Sequence, residues 1–86
     1  MRFRLSEHAR AQLAERRIPT DAVVQVLDDP EQIVPEHGGR RAYQSRISFG
    51  RGRILLVRAI VDESVEPPAV VTVYRTSRIA KYWRAT

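Results

Sequence analysis

The chain has 86 residues, enough for one hydrophobic core and too few for two domains. Lys and Arg number 15 against 10 Asp and Glu, a formal net charge of +5, so acidic partners are attracted at long range, nucleic acid first and an acidic protein second. There is no cysteine, which excludes disulfides, cysteine-based zinc sites and thiol nucleophiles. The start Met-Arg-Phe-Arg-Leu-Ser has no apolar core of signal-peptide length and no later run spans a bilayer, so a soluble cytoplasmic protein with no membrane partner is expected.

Arg2-Phe3-Arg4-Leu5 alternates polar and apolar residues and predicts a short edge strand. Ser6 follows as an N-cap, with Glu7 complementing the dipole of a helix from Glu7 to about Arg17, whose stripe of Ala9, Leu13 and Ala14 is narrow and small. Pro19 stops that helix and Thr20 caps a second one from Asp21 to Asp28, with Ala22, Val23, Val26 and Leu27 on one face and Asp29-Pro30 as its end.

The rest supplies a sheet. Ile33 and Val34 suggest a short strand within residues 31–35, and Glu36-His37-Gly38-Gly39 is a turn signal. In the strand over residues 40–49, Arg41, Tyr43, Ser45, Ile47 and Phe49 share one face, and Ala42, Gln44, Arg46 and Ser48 the other. After Gly50-Arg51-Gly52, residues 53–62 are apolar enough to be a central strand buried on both faces, interrupted only by Arg58 beside Ile54, Leu56 and Ile60. An acidic, proline-containing loop leads to a strand over residues 69–76. Residues 77–84 form a short helix that Thr76 or Ser77 caps, with Ile79, Tyr82 and Trp83 on one side. The sum is an α+β two-layer domain over residues 1–86: a short N-terminal strand, a two-helix hairpin, an antiparallel β-meander and a short C-terminal helix. The sheet face away from the helices stays partly open, a concave basic surface suited to binding.

The opening Ser6-Glu7-His8-Ala9-Arg10, the Arg16-Arg17-Ile18 link, the Asp29-Pro30 stop, the strand start Gly38-Gly39-Arg40-Arg41-Ala42-Tyr43 and the close Thr72-Val73-Tyr74-Arg75-Thr76-Ser77 together resemble an uncharacterised family of small bacterial proteins. That family is grouped with RelE/ParE-type plasmid toxins and BrnT-like proteins. The resemblance covers nearly the whole chain. It implies a RelE/ParE-like fold, a toxin role in a toxin–antitoxin pair with an acidic antitoxin as partner, and cleavage of messenger RNA, free or on the ribosome. The same grouping contains gyrase poisons and members without chemistry, so fold alone does not fix function.

Metal-independent RNA cleavage needs a base for the 2′-hydroxyl proton, cations for the pentacoordinate phosphate and an acid for the leaving oxygen. His8, in the first turn of the first helix, is a candidate base, because the positive dipole end favours the neutral imidazole; a structural histidine bonded to the sheet is the alternative. His37, beside two glycines, reads as an exposed turn residue. Arg58 must reach solvent, an acid or a ligand, since an unpaired buried charge costs several kcal/mol. If the last two long strands pair across the acidic loop, Arg58 and Arg75 make a phosphate clamp on one face, or else salt bridges to helix carboxylates such as Asp28 or Glu15.

Tyr74, Lys81 and Tyr82 complete the set by residue type and region, since RelE-type nucleases use Arg, Lys and a C-terminal Tyr. The tyrosines can stack on a base or supply a proton, or pack in the core. Arg40, Arg41 and Arg46 form a basic strand edge for phosphate contact, and Trp83 docks the last helix. The catalytic candidates are thus His8, Arg58, Tyr74, Arg75 and Lys81, and the nucleic-acid contacts Arg40, Arg41, Arg46 and Tyr82. No cofactor is implied, and two histidines without ligand spacing argue against a metal. A homodimer stays open, as does the second function class, a non-catalytic or ParE-like protein that binds gyrase.

Overall fold

In the computed structural model, which describes residues 2–85, the elements run β1 (Arg4–Leu5), α1 (Glu7–Glu15), α2 (Thr20–Asp28), β2 (Gln32–Pro35), β3 (Arg41–Ser48), β4 (Ile54–Asp62), β5 (Ala69–Thr76) and α3 (Ile79–Tyr82). One five-stranded sheet has the order β1-β5-β4-β3-β2, with β4 at its centre as its apolar sequence requires. The meander β2 to β5 is antiparallel. The sheet is nevertheless mixed, because β1 runs parallel to β5, Arg4 opposite Ala69. Chain direction explains this: β1 and β5 are joined through both helices and the whole meander, a connection long enough for a parallel pair.

The two helices cover one face. Ala9 of α1 and Ala22, Val23, Val26 and Leu27 of α2 pack on Tyr43, Val57, Ala59, Val61, Val70 and Val73, all of them buried. Each large side chain so buried stabilises by about 1.5–3 kcal/mol. On the far face Ala42, Ile60 and Val34 make a smaller cluster with Val71 and Tyr74. The alternation expected of β3 holds, with Tyr43 and Ile47 toward the helices and Ala42 away from them.

α1 ends earlier than its sequence suggests. Arg17 takes φ 52, in the left-handed region. The Ile18 N–H then donates to the Leu13 carbonyl at 2.9 Å and the Arg17 N–H to that of Ala14 at 3.3 Å, a Schellman motif closed by the buried Ile18. Thr20 does not cap α2; it is the first helical residue, and the Pro19 carbonyl instead accepts from Ala22 and Val23. α3 is a single turn. The hydroxyl of Thr76 accepts from the Arg78 N–H in a local bend and does not cap that turn, and Trp83 leaves helical geometry at ψ 129.

One irregularity re-phases β5. Ile60 pairs with Thr72 but Val61 pairs with Val70, so Val71 is an extra residue, a β-bulge. Val70 and Val73 thereby both face the helices, and Val71 and Tyr74 both face away. Beyond the reach of β1, the outer edge of β5 is closed by side chains from α1 and its cap. Gln12 Oε1 accepts from the Val73 N–H at 2.8 Å and the Thr72 hydroxyl at 2.7 Å, while Arg16 donates to the Val73 carbonyl at 3.0 Å. Gln12 is 4% exposed, so this acceptor is not replaceable by water.

Candidate functional site

Register puts Gln32, Gln44, Arg58 and Tyr74 opposite one another on four adjacent strands, in one row across the far face of the sheet. Arg58 lies at the middle, 2% exposed. Its Nε donates to Gln44 Oε1 at 2.7 Å and one Nη to the Tyr74 hydroxyl at 2.5 Å. Glu36 Oε2, in the turn after β2, stands 3.7 Å from the same nitrogen. Gln44 spends its amide N–H groups on Gln32 Oε1 and the Tyr82 carbonyl. Every polar group in the row has a partner, as burial demands.

The C-terminal turn lies over this row. The Tyr82 ring sits 4.3 Å from the Arg58 guanidinium, and the Tyr74 and Tyr82 rings meet edge to face at 6.1 Å. Trp83 is stacked by Arg46 at 4.1 Å, and Gln32 exchanges hydrogen bonds with the Arg84 backbone at 2.5 and 3.1 Å. Trp83 thus docks the last turn, as its sequence suggests. Lys81 is exposed, its Nζ 5.2 Å from the Tyr82 ring. Burial raises the pKa of the Tyr74 phenol more than the hydrogen bond and charge of Arg58 lower it. A neutral phenol that accepts from Arg58 keeps its own proton to donate.

Several candidates do not join this cluster. Arg75 pairs with Val57, one residue past Tyr74, so its side chain lies on the helix-covered face, 4.9 Å from the Phe49 ring. The two-arginine clamp is therefore not formed, because neighbouring positions on a strand face opposite ways. Nor does Arg58 reach Asp28 or Glu15; its carboxylate is Glu36. His8 is exposed in the helical layer and bonds Gln12 across one turn at 3.0 Å, on the other side of the sheet from Arg58.

The arginines of β3 are also redistributed. β3 is an interior strand, and Arg41 and Arg46 occupy opposite faces. Arg41 binds Glu63 through two hydrogen bonds of 2.6 and 2.9 Å, with the Tyr43 hydroxyl on the same carboxylate. Arg46 holds Glu31 likewise at 2.8 and 3.1 Å. Both carboxyls are held below their usual range, chiefly by these arginine hydrogen bonds. Arg40 is exposed beside Asp62, whose pKa is lowered first by Ser64 and last by Arg40. The alternation read from the sequence already put Arg41 and Arg46 on different faces, which the expectation of one basic edge through both did not respect. Gln44 and Glu36, the remaining partners of Arg58, carry no local sequence signal, because strand register brings the first to it and the turn after β2 the second.

Among the described residues no group of three or more His, Cys, Asp or Glu is placed to hold a metal ion. No helix among them is long and apolar enough to cross a membrane.

Residues 5–75 match a family described as a domain of unknown function, DUF4258. The match takes in the whole row from Gln32 to Tyr74 and stops before Lys81 and Tyr82. No curated protein and no solved structure matches the chain.

Proposed function

We propose that this chain, which belongs to the DUF4258 family, acts on RNA as the toxin of a toxin–antitoxin pair with a RelE/ParE-like architecture, and that it works at the far-face row. The observation that carries this reading is the Tyr74 hydroxyl, held by a buried guanidinium in the state of a proton donor beside an aromatic and cationic surface. Lys81 and Tyr82, on the turn above, offer a phosphate its cation and a base its stacking partner. Arg58 is too deeply buried to touch a substrate. It is a positioning residue that fixes Tyr74 and Glu36.

In the cleavage step Glu36 takes the 2′-hydroxyl proton and the 2′ oxygen attacks phosphorus. The bond to the 5′ oxygen breaks as Tyr74 supplies that oxygen with a proton. The products are a 2′,3′-cyclic phosphate and a 5′-hydroxyl, with no metal in the balance. An acidic antitoxin would cover the basic surface through charge complementarity.

The test is incubation of purified protein with a short RNA in chelator. Cleavage to cyclic-phosphate ends is expected, with Tyr74→Phe and Glu36→Gln each slower by roughly 10²–10⁴-fold and His8→Ala unchanged. A second reading, a non-catalytic protein that binds gyrase or RNA, is favoured by the saturation of Arg58 inside the fold. RNA bound but never cut, or DNA damage in cells with transcripts intact, would establish that reading in place of the first.

A further inference from the structure

A second cationic site lies on the opposite side of the sheet, where the link between α1 and α2 meets the β3–β4 hairpin. A groove of about 500 Å³ there is lined by Arg17, Arg53 and Arg75 over a floor that includes Phe49 and Ile47. A second hollow of about 780 Å³ at the outer edge of β5 is lined by Arg16, Arg17, Tyr74 and Arg75. Arg17 and Arg75 line both, so the two hollows adjoin at these residues and together trace a path. Tyr74 is part of that path and also bonds Arg58 on the far face.

Charge gives the path its chemistry. The ion-paired arginines among the described residues are Arg41, Arg46 and Arg58, and none of them lies on it. Arg16, Arg17, Arg53 and Arg75 line it against the two carboxylates Glu15 and Asp21, and neither carboxylate is ion-paired among the described residues. Arg16 is fixed by the Val73 carbonyl, and Arg75 is held on the ring of Phe49 at 4.9 Å, so two of the four guanidinium groups are pre-organised before any ligand arrives. Glycine is the usual residue at the left-handed position that Arg17 takes. The turn therefore does not account for an arginine there.

We infer that this path binds the phosphodiester backbone of single-stranded RNA, carrying the strand around the outer edge of β5 from the far-face row to the groove at Phe49. The path is lined by arginines spaced along an edge and has one aromatic floor. That suits successive phosphates with a stacked base better than a compact anion. The choice of RNA over another polyanion rests on the functional reading above; the location of the path does not.

The experiment is fluorescence anisotropy of a labelled twelve-nucleotide oligouridylate, titrated with the full chain at several salt concentrations. Arg53→Gln and Arg75→Gln are each expected to lower the slope of log K against log salt by about 0.7 and to weaken binding roughly fivefold at 0.1 M salt. Arg17→Gly should do the same with a melting temperature no lower than that of the unsubstituted chain, which separates lost contact from lost fold. Arg2→Gln removes the same charge near the opposite end of β5, two residues before Arg4, which pairs with Ala69. It should leave the slope unchanged.

An equal slope change for Arg2→Gln overturns the path in favour of diffuse attraction. If the groove variants bind normally while Tyr82→Ala does not, the path is wrong and the far-face reading stands. A chain that ignores RNA but binds a poly-glutamate peptide through the groove arginines overturns the RNA path and makes this surface the seat of an acidic protein.

Discussion

Replacing Tyr74 by Phe removes one oxygen and leaves the ring that meets Tyr82 and packs against the cluster of Val34, Ala42 and Ile60, so it isolates the hydroxyl that Arg58 binds at 2.5 Å. A hydrogen bond to a charged group contributes about 1.5–3 kcal/mol net. The upper end applies where the charge has no other outlet, and Arg58 at 2% exposure has little, although Gln44 at 2.7 Å and Glu36 at 3.7 Å keep it partly compensated. The expected loss is therefore about 2 kcal/mol, a large share of the roughly 4–13 kcal/mol that a chain of this size commands. Urea unfolding followed by Trp83 fluorescence measures it, as a lower midpoint with an unchanged m-value. A double-mutant cycle with Glu36→Gln should show coupling, because both partners act on one guanidinium. A loss below about 0.5 kcal/mol, or strict additivity in the cycle, would refute the view that Arg58 depends on these two groups.

Gln12→Leu keeps the volume of the side chain but leaves the Val73 N–H without an acceptor at the bulge. A destabilisation of about 1–3 kcal/mol is expected in the same unfolding assay, with hydrogen exchange at Val73 accelerated first. Glu63 carries a carboxyl whose pKa is lowered in the folded state, chiefly by Arg41, so its contribution is complete above its unfolded value near 4.5 and is lost as pH falls through the lower folded one. Because the pair is solvent-exposed, that contribution is at most about 1 kcal/mol. Glu63→Gln should lower stability at pH 7 by at most about 1 kcal/mol, flatten the profile below pH 4.5 and converge with the unsubstituted chain at still lower pH, as followed by thermal melts across that range.

Local chemistry wrote much of this fold into the sequence. Ser6 had to cap a helix before the Ala9 and Leu13 stripe, and its hydroxyl does accept from the Ala9 N–H at 3.0 Å. The four apolar residues of α2 recur at helical period and are all buried. The apolar run of β4 could only be central, and its one arginine had to find partners. These features depend on residues a few positions apart, so periodicity, capping and turn chemistry suffice to predict them.

What the sequence did not determine is how distant residues line up. Strict alternation from Val73 would set Val70 on the opposite face, yet the extra residue Val71 in β5 puts both toward the helices. Arg58 meets Tyr74 and not Arg75 because of the register that follows from this bulge and from the β4–β5 loop, and a shift of one residue would exchange them. Strand register likewise brings Gln44 to Arg58 and Gln32 to Gln44, and the turn after β2 delivers Glu36. Their energies come from burial and pairing across strands, which no local pattern records. The sequence by itself therefore determined that this chain buries an arginine and must satisfy it; only the tertiary structure decided that Gln44, Tyr74 and Glu36 do so, and that Arg75 is left to the other face.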